Sequence, residues 1–174
     1  MKKTLLTSIL FIGFLMAGTM LRAQTTTAAA APKLQQNIID LNDPEYANLT
    51  FDDILAKYQG KVIYLDFWAS WCSPCKREMP YSLKLQQTFA GKDVVFVYIS
   101  SDKTADPWKA AIDRLGLTGE LYRASYYVKM DYAKRFNVRY IPRYILIDKN
   151  GNVADENAKR PSNPNVVKDI NALL

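Results

Sequence analysis

The chain has 174 residues, 49% of them hydrophobic and 23% charged, enough for one globular domain and a tail. It contains no histidine, which removes histidine acid–base catalysis and most zinc sites. Of the net charge of +6, three cations (Lys2, Lys3 and Arg22) fall in the first 23 residues with no acid, and the remaining +3 argues for solubility and against nucleic acid.

Lys2 and Lys3 precede an apolar run from Leu5 to Leu21, and Ala23 offers a small residue for cleavage. That pattern predicts a secretory signal peptide over residues 1–23. Leu21, bulky at the third position before the cut, leaves an uncleaved membrane anchor as the alternative. Either form exports the rest of the chain. Residues 24–32 are rich in Thr and Ala and predict a flexible leader; residues 33–174 form the domain.

Within the domain, strands and helices alternate. Lys61-Val-Ile-Tyr-Leu-Asp-Phe67 follows Gly60 and predicts a buried strand. Residues 74–89 have helical composition and are closed by Gly91, and Val94-Val-Phe-Val-Tyr-Ile-Ser100 is a second buried strand. Asp106-Pro107 predicts a helix start, with Asp as cap and Pro first, running to Gly116. A short helix is expected over residues 132–136 and a third strand over residues 144–148. Asp148-Lys-Asn-Gly151 then turns residues 152–155 back as an edge strand. Residues 164–174 close the chain as a helix. The order implies a parallel pair with a right-handed crossover, then an antiparallel hairpin.

The only two cysteines, in Trp71-Cys72-Ser73-Pro74-Cys75, stand at the junction of the first strand and its helix. A disulfide across so short a loop contributes only about 2 kcal/mol by loop entropy, against about 4.7 for a hundred-residue loop. So tight a pair suits opening and closing better than bracing, and points to thiol–disulfide exchange. A helix N-terminus lowers the pKa of the nearer thiol. Cys72 is thus expected to be the exposed nucleophile and Cys75 the resolving thiol. Pro74 costs nothing in a first helical turn, and Lys76 and Arg77 add positive charge.

Two acids are candidates for handling the Cys75 proton. Asp66 lies inside an apolar strand, where burial would raise its pKa; Glu78 lies one turn after Cys75. Ile141-Pro142, just before the third strand, is a candidate cis peptide.

Phe67-Trp68-Ala69-Ser70-Trp71-Cys72-Ser73-Pro74-Cys75-Lys76 resembles the active-site segment of thioredoxin-fold proteins. Tyr58-Gln59-Gly60-Lys61, Arg77-Glu78-Met79-Pro80 and Tyr140-Ile141-Pro142-Arg143-Tyr144-Ile145-Leu146-Ile147-Asp148-Lys149-Asn150-Gly151 are similar to the exported TlpA/ResA-like branch. The resemblance covers roughly residues 50–174. It implies an α/β thioredoxin-like fold, a central mixed β-sheet flanked by helices, with an N-terminal extension and a short central insertion at about residues 118–127. It also implies a cis Pro142 against the dithiol and a groove in which Trp71, Tyr140 and Ile141 contact a substrate peptide. Asp66 matches the family's buried acid and Glu78 the glutamate of the exported reductases. Arg139-Tyr140 and Arg143 depart from the usual pattern and make the groove bulkier and more basic.

The expected activity is a periplasmic thiol–disulfide oxidoreductase, mainly a protein disulfide reductase. Its substrates would be exported protein disulfides or thiols, including apocytochrome c thiols or oxidised thiols under repair. A membrane dithiol would serve as its electron donor, and no cofactor is expected beyond the Cys72–Cys75 disulfide. A disulfide oxidase or isomerase is the enzymatic alternative. A non-catalytic binding or chaperone module is the other, and the intact cysteine pair argues against it.

Overall fold

Strand β2 (Val62–Trp68) is buried along its whole length, as an apolar run interrupted only by Asp66 requires of a strand covered on both faces. The computed structural model describes residues 34–174; the predicted signal peptide and leader lie outside the described residues. In chain order the other elements are β1 (Gln36–Asp40), α1 (Phe51–Ala56), α2 (Ser73–Thr88), β3 (Val94–Ser100), α3 (Ala105–Leu115), β4 (Gly119–Arg123), α4 (Tyr126–Arg135), β5 (Arg143–Ile147), β6 (Val153–Asp155) and α5 (Val166–Asn171). The sheet runs β1-β4-β3-β2-β5-β6. Its first four strands are parallel, and β5 and β6 join antiparallel beyond β2.

Alternation along β2 builds two cores. Val62, Tyr64 and Trp68 face one side, with Met79 and Leu85 of α2, Trp108 and Ile112 of α3, and Val166 and Ile170 of α5. Ile63, Leu65 and Phe67 face the other, with Phe51 and Ile54 of α1 and Val128 and Tyr132 of α4. No helix among the described residues is long and apolar enough to cross a membrane.

The parallel pairing of β2 with β3 and the final hairpin follow the sequence pattern. Three regions differ from it. Helix α3 is capped by Thr104, so Asp106 and Pro107 sit second and third inside it. None of the first-turn N–H groups has a helical acceptor, so proline fits at the third position as well as the first. Helix α4 starts at Tyr126, six residues before the predicted 132–136, where the Ser125 hydroxyl accepts the Val128 N–H. The terminal helix is shorter than 164–174.

The segment 118–127 is no appendage. Its residues 119–123 form β4, a strand inside the sheet between β1 and β3. Gly119 opens that strand at φ +97°, where a Cβ would come within 2.9 Å of the Phe96 carbonyl oxygen. Only glycine fits both that backbone and that approach.

Candidate active site

Helix α2 begins at Ser73, directly after the loop leaving β2, with Cys72 as its N-cap. Cys72 and Cys75 are joined as a disulfide, and Cys72 Sγ accepts the Cys75 backbone N–H at 3.2 Å. Once the bond is reduced, the same N–H and the positive end of a sixteen-residue helix face a Cys72 thiolate. The expectation that Cys72 is exposed needs correction. It is only 4% exposed and Cys75 is 0%, both lying in the core cluster that holds Tyr64, Trp68, Met79 and Trp108. Trp71, at 65% exposed, is what stands out from the surface.

The loop carrying Ser70 and Trp71 is held by a carboxylate the sequence reading missed. Asp102, just past β3, accepts the Ser70 N–H at 2.9 Å, the Ser70 hydroxyl at 2.6 Å and the Ser100 hydroxyl at 2.6 Å. The Ser101 N–H donates to the Trp68 carbonyl. The signal available in the sequence was Ser100-Ser101-Asp102, polar residues at the carboxyl end of an apolar strand.

Asp66 is 1% exposed, and neither of its carboxylate oxygens has a hydrogen-bond partner among the described residues. Two residues from both Tyr64 and Trp68 on β2, it lies on the sheet face they share with Cys72 and Cys75. Its register partners are Tyr98 on β3 and Tyr144 on β5. Burial pushes the Asp66 carboxyl well above the ordinary range, and the charge of Glu78 adds to the push. The Tyr144 hydroxyl, also raised chiefly by burial, is likewise without a partner. Glu78 is engaged elsewhere: it accepts the Ser162 N–H at 3.0 Å and the Ser162 hydroxyl at 3.1 Å. It thereby ties α2 to the segment before α5. Nothing in the sequence marked Ser162.

The Ile141–Pro142 peptide is cis. Ile141 packs against both cores, and Tyr140 is 72% exposed. Trp71, Tyr140 and Ile141 line one cavity, and Tyr140 and Pro142 line a second. The structure thus brings together Asp66, Cys72 and Cys75 in one core, and Trp71, Tyr140 and Ile141 around one groove. Among the described residues no group of three or more His, Cys, Asp or Glu could hold a metal ion.

A closed dithiol capping the helix that leaves the central strand of a mixed sheet defines the class: a thioredoxin-fold dithiol protein. A family model described as Thioredoxin-like matches residues 60–153, and the chain belongs to that family. It is 30% identical over 106 residues to the thiol-disulfide oxidoreductase ResA of Bacillus thuringiensis, covering 59% of this chain and 57% of that one. It is 33% identical to the thioredoxin-like protein YneN of Bacillus subtilis, over 56% of each. The chain therefore spans little more than half the length of these curated relatives. Among solved structures, a candidate thiol-disulfide oxidoreductase from Bacteroides vulgatus superposes with a TM-score of 0.61 at 40% identity. That match covers 69% of this chain and 83% of the other.

Proposed function

We propose that the protein is an exported, periplasmic thiol–disulfide oxidoreductase that acts mainly as a reductant of disulfides in other exported proteins. The observation that carries this reading is the Cys72–Cys75 disulfide at the N-terminus of α2, with a buried, unpartnered carboxyl on the same sheet face. The names of the relatives support it, since both ResA and the Bacteroides vulgatus structure are described as thiol-disulfide oxidoreductases.

In the reduced protein the Cys72 thiolate attacks one sulfur of a substrate disulfide, expelling the other as a thiolate and forming a mixed disulfide. Cys75 then gives up its proton and attacks Cys72 Sγ, which closes the protein disulfide and releases the second substrate thiol. Two electrons pass to the substrate. Asp66 is the group for the Cys75 proton, because it is buried on the sheet face that carries the cysteines, has no hydrogen-bond partner among the described residues, and burial raises its pKa well above the ordinary carboxylate range. Glu78, bound to Ser162, acts through its charge on Asp66. Trp71, Tyr140 and Ile141 line the substrate groove beside the cis Pro142. The redox group is the protein's own disulfide, and in an oxidising periplasm it would be recharged by a membrane dithiol donor. Cytochrome c maturation and repair of oxidised thiols are settings that fit this chemistry.

The test is the reduction potential of the Cys72–Cys75 pair, titrated in thiol redox buffers and followed by the fluorescence of Trp68 and Trp71. A potential near thioredoxin's, about −270 mV, supports a reductase; one near about −120 mV overturns it in favour of an oxidase.

A further inference from the structure

Tyr140 stands between two cavities of opposite character, both beside the cis-proline loop. On the Trp71 side lies a cavity of about 900 Å³ whose apolar lining includes Trp71, Pro107, Met130, Val138 and Ile141. Its carboxylate, Asp102, is consumed by Ser70 and Ser100, and its rim carries Lys103, Lys129 and Arg139. Met130 and Trp71 are both exposed there, an uncovered apolar surface beside a reactive disulfide. Tyr126, one turn before Met130 on α4, is exposed as well.

On the Pro142 side lies a cavity of about 570 Å³ lined by Arg143, Lys159 and Arg160 together with Asn157, Ser162 and Asn163. No Asp or Glu is among its lining residues. Lys159 is paired with Asp169. Among the described residues Arg143 spends only its Nε, on the Glu156 carbonyl oxygen. Arg160 makes no ion pair among the described residues. Two guanidinium groups with donors to spare face a polar recess, which is a carboxylate-binding arrangement.

We propose that these two cavities form a bipartite recognition surface for a polypeptide substrate that carries an apolar residue on one side of its disulfide-bonded cysteine and an acidic residue on the other. Tyr140 is the wall between the two sites and sets their spacing. The apolar side chain fills the Trp71–Met130 cavity, and the carboxylate meets Arg143 and Arg160. Charge complementarity selects this occupant: neither cavity offers a free carboxylate to a basic segment, and like charge across an interface is repelled. The inference rests on the oxidoreductase reading and names its substrate class.

The experiment uses the reduced protein and symmetrical disulfides of short capped cysteine peptides. One set carries leucine on one side of the cysteine and glutamate on the other, in both orders; the others replace glutamate by serine or lysine, or leucine by serine. Hydroxyethyl disulfide serves as the featureless substrate. One order of the leucine–glutamate peptide should be reduced about fivefold or more faster than its serine counterpart, with the lysine peptide slowest. The glutamate advantage should shrink as salt is raised. In the double variant R143S/R160S the glutamate-to-serine ratio should fall to about one while the leucine-to-serine ratio holds. In Met130→Ser the leucine ratio should fall instead. Ratios within one variant are read, so a general loss of activity or of folded protein cancels. Equal rates for all peptides, or a glutamate preference that survives R143S/R160S, overturn the proposal while leaving the oxidoreductase reading intact. Failure to reduce even hydroxyethyl disulfide overturns both.

Discussion

Asp40 and Asp66 are both buried carboxyls on strands of one sheet, and they are housed in opposite ways. Asp40, at the β1–β4 edge, receives Arg123 Nε and Nη2 on one oxygen, at 2.9 and 2.7 Å, and the Asn42 N–H and side-chain amide on the other. Burial alone would raise its pKa, but the hydrogen bonds of Arg123 and Asn42 outweigh it and the net shift is downward. Asp66, in the central strand, receives nothing from the described residues, and burial with the charge of Glu78 drives it upward. The same side chain is fully paired at the sheet's edge and left without a partner among the described residues at its centre. Where a fold pairs one buried acid so fully, an unpaired one three strands away reads as kept for use.

Removing the partner at the edge should have the largest effect. Arg123→Ala leaves the Asp40 carboxylate buried and unpaired, at a cost of about 3–5 kcal/mol, measured by urea unfolding. Disulfide exchange by the molecules that remain folded should stay within about twofold. A loss of exchange matching the loss of stability would break the contrast between the two sites.

Asp66→Asn is the converse. It should slow the step in which Cys75 releases the mixed disulfide by about a hundredfold, read from the lifetime of a trapped substrate adduct. Its stability effect carries a sign that separates the two acids. Asp66 is raised in the folded state, so its contribution is complete below about 3.8, the ordinary value, and is lost as pH rises through the raised folded pKa. The asparagine variant should therefore gain on the parent as pH climbs from 4 towards neutrality. Asp40, lowered in the folded state, contributes above the ordinary value and loses that contribution as pH falls through its folded pKa. A parallel pH dependence for the two sites would show that Asp66 is paired after all. The smallest effect belongs to Glu78→Gln. It keeps an acceptor for Ser162 and removes the neighbouring charge, so the Asp66 pKa should move down, observable in the carboxyl carbon shift by NMR.

Much of this site is local in the sequence, which is why it was legible there. The cysteines, Asp66 and the cis-proline segment each sit within a few residues of a strand end, and their strands announce themselves by long, mostly apolar runs. The half-buried strands did not. β1 and β4 are five residues each; β1 buries only Asp40, and Gln36-Asn-Ile-Ile-Asp40 carries too few apolar residues to stand out, while β4 buries only its last three residues. Helix α1 was missed although Thr50 and Asp53 form a reciprocal cap at its start; six residues are too few to show a helical period. The partners that arrive from afar were out of reach. Ser162 meets Glu78 across 84 positions and Asp102 meets Ser70 across 32, and neither serine carries a local mark of its role.

The order of the sheet also sets a timetable. β1, the first strand of the described chain, pairs only with β4, Gln36 lying opposite Gly119. During synthesis that strand has no partner until some eighty further residues have emerged, and closing so distant a parallel pair is slow. The sheet therefore cannot be completed until β4 has been made, well after the Cys72–Cys75 segment between β2 and α2.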